Sequence, residues 1–150
     1  MFSFVRGGAS WTSEGAVAIR SASAVISPLV TAGFRWDKTA HLWRRFTNGR
    51  PHLAASGVVV GVSNVVIQRT PYVLSNATDR SHTPVPEVTI VGSGAAVFLI
   101  DGQMAKGAWS KADVASPFVY TDAKGKPVSF VRGSTWVVLA PDDSVLQVES

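Results

Sequence analysis

A chain of 150 residues with 46% hydrophobic and 16% charged side chains can bury a core in one domain and is too apolar for a disordered or coiled-coil protein. Its formal charge of +4 is scattered, with only Arg44-Arg45 and Lys124 with Lys126 close together. That is not the basic stripe specific nucleic-acid recognition needs. Without cysteine there is no disulfide, zinc–thiolate site or thiol nucleophile, and no run approaches the roughly 20 apolar residues of a membrane span.

Period-2 alternation and β-branched runs predict a mostly β single domain over 1–150, built of antiparallel hairpins and a meander with little helix. Met1 to Ser10 has one arginine and no apolar run, so it does not read as a secretory signal. Phe34-Arg35-Trp36 and Leu42 to Phe46 flank a polar turn at Asp37 to Ala40, and Asn48-Gly49 then returns the chain in a tight turn. Tight turns at both places set Phe34 opposite Trp43, Trp36 opposite His41 and Arg45 opposite His52. Strand alternation puts these six on one face, with Arg35, Leu42, Arg44 and Phe46 on the other.

The run Gly57 to Gln68 is apolar at both parities and reads as a central strand covered on two sides, with Asn64 its one buried polar group. Thr70 to Pro86, rich in proline and small polar residues, reads as a long surface loop. Strands are expected over Val88 to Val91, Ala95 to Ile100, Gln103 to Trp109, Phe118 to Tyr120, Val128 to Phe130 and Thr135 to Leu139. Asp101-Gly102 is the sharpest hairpin signal among them.

This last third carries, in order, Val91-Gly92-Ser93-Gly94, Val97-Phe98, Asp101-Gly102, Gly107-Ala108-Trp109-Ser110-Lys111, Phe118, Asp122, Gly125-Lys126 and Gly133-Ser134-Thr135-Trp136. Trp36-Asp37, Trp43-Arg44-Arg45, Asn48-Gly49-Arg50-Pro51-His52 and Asn64-Val65-Val66-Ile67 precede it. From about Phe34 to Pro141 the chain resembles the C-terminal domain of the YerB-like lipoprotein family, Gram-positive envelope proteins with no established activity. The resemblance implies an extracytoplasmic, lipid-anchored setting and a full-length α+β fold, of which this chain is the C-terminal portion without its N-terminal half. The family pattern commonly places an acid after the Pro-His pair, where this chain has Leu53-Ala54. The family has no agreed catalytic residues to carry over.

Candidate site residues follow from the hairpin face. Arg45 and His52 both donate hydrogen bonds suited to a carboxylate or phosphate. Trp36 and Trp43 beside them suit a ligand platform or partner interface, and Asn64 is a structural anchor or a ligand contact. Trp109 and Trp136 read as core. The three histidines have no metal-ligand spacing, and no cofactor motif appears; Gly92-Ser93-Gly94 precedes a strand, not the helix a phosphate cradle needs. The aspartates sit in expected turns, and no nucleophile–base or paired-carboxylate arrangement is legible.

The leading expectation is a non-catalytic binding or structural module of a cell-envelope lipoprotein. Its partners would be the missing N-terminal half, a second copy of the chain, or an acidic envelope polymer. The alternative is part of an envelope hydrolase or transferase, with a site between two halves drawing on Arg45, His52 or Asn64.

Overall fold

The computed structural model describes residues 3–4, 11–78, 84–88 and 90–150, with side chains over 11–71 and 90–150. None of the described residues is helical, so no helix there is long and apolar enough to cross a membrane. The strands in chain order are β1 Ser3–Phe4, β2 Val17–Ala18, β3 Ser21–Ser27, β4 Val30–Asp37, β5 Leu42–Thr47, β6 Arg50–Pro51, β7 Gly61–Val62 and β8 Asn64–Thr70. They continue with β9 Tyr72–Thr78, β10 Pro84–Val88, β11 Gly92–Ile100, β12 Gln103–Lys111, β13 Val119–Asp122, β14 Ser129–Phe130, β15 Thr135–Pro141 and β16 Leu146–Glu149.

Two six-stranded sheets hold most of these strands. The first runs β13-β12-β11-β8-β15, with β2 also on β12; the second runs β16-β3-β4-β5-β6, with β7 also on β5. Side chains from both meet in one core: Ala22, Ala24, Ala32, Phe34, Trp43 and Val62 from the second sheet against Val65, Ile67, Val97, Leu99, Val138 and Ala140 from the first. A sheet buries apolar side chains on the face that meets its neighbour, which makes this a sandwich. The first sheet is buried on its other face too, where Val66, Phe98, Ile100 and Trp109 pack with Trp11, Tyr120, Val128 and Phe130. That double burial is why β8 and β11 are apolar at both parities.

Both expected tight turns form. Asn48 and Gly49 have φ of 51° and 75°, Asp101 and Gly102 of 50° and 73°. Positive φ at both central residues matches the right-handed twist of the flanking strands. Asn48 also ties the turn to the start of β4, accepting from the Thr31 amide at 2.7 Å and donating to the Leu29 carbonyl at 2.9 Å.

Four expectations are corrected. In the β4–β5 hairpin Trp36 pairs with Trp43 and Phe34 with Arg45, because the turn spans 38–41 and His41 lies within it at φ 53°. The Asp37 carboxylate accepts from the Thr39 and Ala40 amides, both at 3.0 Å, and so stabilises this wider turn. The two-residue slip preserves parity, so Phe34, Trp36, Trp43 and Arg45 still share a face.

Gly57 to Gln68 is not one strand. Val62 pairs with Trp43 in the second sheet, and Asn64 begins β8 in the first, so the chain changes sheets at Ser63. Within Thr70 to Pro86, β9 and β10 pair antiparallel with a register shift between Pro84 and Pro86. His82, expected in that loop, lies outside the described residues. Finally, β15 leaves the meander and pairs parallel with β8, Thr135 beside Asn64 through Pro141 beside Thr70.

Candidate functional site

Arg45 lies where three strands converge. Its amide donates to the Val60 carbonyl at 2.8 Å, its carbonyl accepts from the His52 amide at 2.9 Å, and the Val60 amide closes onto the His52 carbonyl at 2.7 Å. His52 therefore stands opposite Arg45, as strand alternation predicts. Beyond this junction the chain projects as an exposed arm over 53–58, carrying Leu53 and Val58 at 57% and 59% exposure before turning back at Gly57.

The Arg45 side chain points inward and retains 8% exposure. Its guanidinium carbon lies 5.2 Å from the Phe34 ring and 5.3 Å from the Trp136 ring. The two rings are 6.5 Å apart at 69° to each other, so they form two walls of a corner around the cation. His52 completes the cluster, its exposed ring edge-on to Trp136 at 5.6 Å. One guanidinium nitrogen, Nη1, donates to the Phe46 carbonyl, whereas the buried Nε has no hydrogen-bond partner. Burial pushes the Arg45 pKa down from its usual value. Among the described residues, the acid–base pairs within 4.0 Å are His41–Asp101, Arg44–Asp37 and Lys124–Glu14, none involving Arg45.

Arg44, one residue away, illustrates the contrast. It points to the outer face, donates through Nε to Asp37 at 3.2 Å and through Nη1 to the Val59 carbonyl at 3.1 Å. The Ala40 amide first, with Arg44 and the Thr39 amide, holds the Asp37 carboxyl below the usual carboxylate range.

The other candidates separate. Trp43 is fully enclosed in the core between the sheets. Trp36 is half-buried, tilted against Trp43 at 5.1 Å and edge-on to His41 at 5.9 Å. Its indole covers Gly102, where a Cβ would meet Nε1 at 2.7 Å. Trp36 and Trp43 thus close one end of the sandwich over the Asp101-Gly102 turn, whereas Arg45 and His52 face Trp136.

Asn64 lies apart from both. Fully buried, it donates to the Val131 carbonyl at 2.8 Å and Thr135 Oγ1 at 3.3 Å, and accepts from the Val131 amide at 3.0 Å. These bonds hold the 131–135 segment in place to launch β15. Gly133 permits the close approach: at φ 129° its Cβ would stand 2.1 Å from Ser63 Oγ.

Sequence reasoning assigned Trp136 to the core alone and so missed its second role as a wall of the Arg45 corner. It is half-buried, part packing on the core and part facing His52. The sign available was its place at the start of a strand just after a Gly-Ser turn, where a large ring reaches the rim. Nothing local pairs it with Arg45. Among the described residues no group of three His, Asp or Glu side chains could hold a metal ion.

The architecture is that of a two-sheet β-sandwich module with a cationic, aromatic-walled rim and an exposed apolar arm. Residues 24–137 match the model of the DUF3048 C-terminal domain, a protein of unknown function, and the chain belongs to that family. Its fold is similar to the crystal structure of YerB from Bacillus subtilis, with a TM-score of 0.67 and 18% identity over 87% of this chain and 45% of that one. The chain thus spans about half the length of that structure. No curated protein matches it in sequence.

Proposed function

We propose that this chain is a non-catalytic binding module of a cell-envelope lipoprotein, and that the rim formed by Arg45, His52 and Trp136 is its contact surface. One observation carries the reading: a guanidinium held in an aromatic corner, with a free N–H and no counter-ion among the described residues. Burying a cation without a partner charge is unfavourable unless something supplies the charge. Of the residues weighed for chemistry, Asn64 is spent on the backbone of 131 and the Thr135 hydroxyl, which leaves the exposed His52 and the inward-pointing Arg45 with its buried Nε unpaired. Envelope placement and lipid anchoring rest on the family resemblance, with the cationic balance of the chain in keeping with a negatively charged setting.

Co-sedimentation of the purified chain with isolated Gram-positive envelopes tests the reading. Saturable retention is expected, reduced about ten-fold or more by His52→Ala combined with Trp136→Ala, since such rim anchors carry most of an interface's energy. Retention untouched by those changes, or no retention at all, refutes it.

A further inference from the structure

The outer face of the second sheet carries a groove that is separate from the rim and does not depend on it. Ala22, Phe34 and Trp43 turn inward to the core, so the residues alternating with them point out. Strand register sets these in rows. Gln147, Ser23, Gly33 and Phe46 are successive partners across β16, β3, β4 and β5, and Glu149, Ser21 and Arg35 form the row beside them. Where the rows are lowest they enclose about 270 Å³, with Ser21, Ser23 and Gly33 as the floor. Arg35 bends over the Phe46 ring, its guanidinium carbon 4.1 Å from the centroid, and the two make one wall. Gln147 and Glu149 make the other.

Gly33 sits in the interior of β4, where glycine costs conformational entropy and supplies no packing. A positive φ or a close backbone approach would require it, and neither holds. Its φ is not positive, and a Cβ would meet Phe46 Cβ at 3.6 Å and Ser23 Cβ at 3.8 Å, both ordinary contacts. What a side chain there would do is fill the floor. The glycine keeps the groove open.

The lining selects the chemistry of the occupant. Arg35 only donates hydrogen bonds, ionised Glu149 only accepts them, and Ser23 and Gln147 do both. Arg35 and Glu149 are exposed, and neither enters an acid–base pair among the described residues; Glu149 accepts from Ser21 Oγ at 3.2 Å. Arg44, next to Arg35 in the charged row, is held by Asp37. With one free cation facing one free anion, the groove has no net positive charge for a polyanion to neutralise. An apolar occupant would strip water from these groups and return no hydrogen bonds. Sugar hydroxyls donate and accept at once and so match the set. A volume just under the roughly 300–1,000 Å³ of ligand clefts suits a single ring.

We infer that this groove holds one ring of a neutral glycan chain, its hydroxyls bonded by Arg35, Glu149 and Gln147 above the floor at Gly33.

The test is an NMR titration of the intact chain with cellotetraose, maltotetraose and N-acetylchitotetraose, and with alanyl-alanine and short-chain polyphosphate as charged probes. At least one tetrasaccharide is expected to shift the Ser23 and Gly33 amides and the Arg35 Nε–H saturably, leaving the His52 amide and the Trp136 indole unmoved. Gly33→Val, which fills the floor, should weaken that binding about ten-fold or more. Gly33→Ala intrudes less and should weaken it several-fold, with the melting temperature unchanged or raised.

No groove shift with any tetrasaccharide overturns the inference, as does tighter binding of alanyl-alanine or polyphosphate. Binding that survives both Gly33 substitutions overturns it too. A lower melting temperature for Gly33→Ala would make the glycine a structural requirement, and shifts confined to His52 and Trp136 would put the sugar on the rim. Either result refutes the groove.

Discussion

Replacing Asn64 by leucine removes three hydrogen bonds at once and strands both the amide and the carbonyl of Val131. The loss should be about 1–3 kcal/mol, seen as a lower urea midpoint. Trp43 is a larger test. With no exposed surface, Trp43→Ala leaves a cavity between the sheets and should cost roughly 3–5 kcal/mol by the same measurement, more than the half-buried Trp36→Ala.

Tyr120 is expected to contribute to a loss of stability at alkaline pH. Burial pushes its pKa up to about 12, whereas an unfolded tyrosine ionises near 10 in order-of-magnitude terms. Between those values the unfolded chain has lost a proton that the folded chain retains, so stability falls as pH rises. The contribution is whole below about pH 10 and gone above about pH 12. Chemical unfolding across that interval should show the decline, and Tyr120→Phe should flatten it. At this scale Asn64 was legible because a lone amide in a doubly apolar run has to be buried. The burial of Arg45 without an acidic partner among the described residues was not, since its neighbour Arg44 carries the same charge and differs only in the face it takes.

Between elements, close backbone approach decides what the sequence pattern leaves open. Gly107 in β12 lies so near β13 that a Cβ would stand 2.0 Å from the Thr121 carbonyl oxygen and 2.9 Å from the Phe98 ring. Gly107→Ala should therefore push β13 off the sheet edge. Faster hydrogen exchange is expected at the Val119 and Thr121 amides, with those of β4 and β5 unaffected. Gly94 acts similarly, since a Cβ there would collide with the Trp109 indole, which donates to the Arg69 carbonyl at 2.7 Å.

Hairpins at Asn48-Gly49 and Asp101-Gly102 were readable because their φ requirements are local. The β4–β5 register was misread by two residues, because side-chain bonds from Asp37 support a longer turn than two residues. The face assignment survived for Phe34, Trp36, Trp43 and Arg45, since a slip of two leaves side-chain parity unchanged, whereas His41 falls in the turn.

For the molecule as a whole, the C-terminal stretch closes both sheets at once. β15 borders β8 in the first sheet, and β16 pairs with β3 in the second. Ending the chain after Ser134 removes both strands and exposes Val65, Ile67 and Ala22 beneath them. Such a chain should lose its cooperative thermal transition, while one ending after Ser144 should keep it at a lower melting temperature. Loss of cooperativity in both would show that β16 matters as much as β15.

The amino-acid sequence by itself determined the β-rich class, the two Gly-containing turns, the two faces of the β4–β5 hairpin and the burial of Asn64. Each depends on backbone preference or side-chain alternation within a few residues. Only the tertiary structure decided that the chain changes sheets at Ser63, that β15 returns parallel to β8, and that Trp136 thereby stands over Arg45. Those outcomes depend on which distant strands bury each other's apolar faces best. That competition is settled across the whole core, and neither strand carries its result in its own residues.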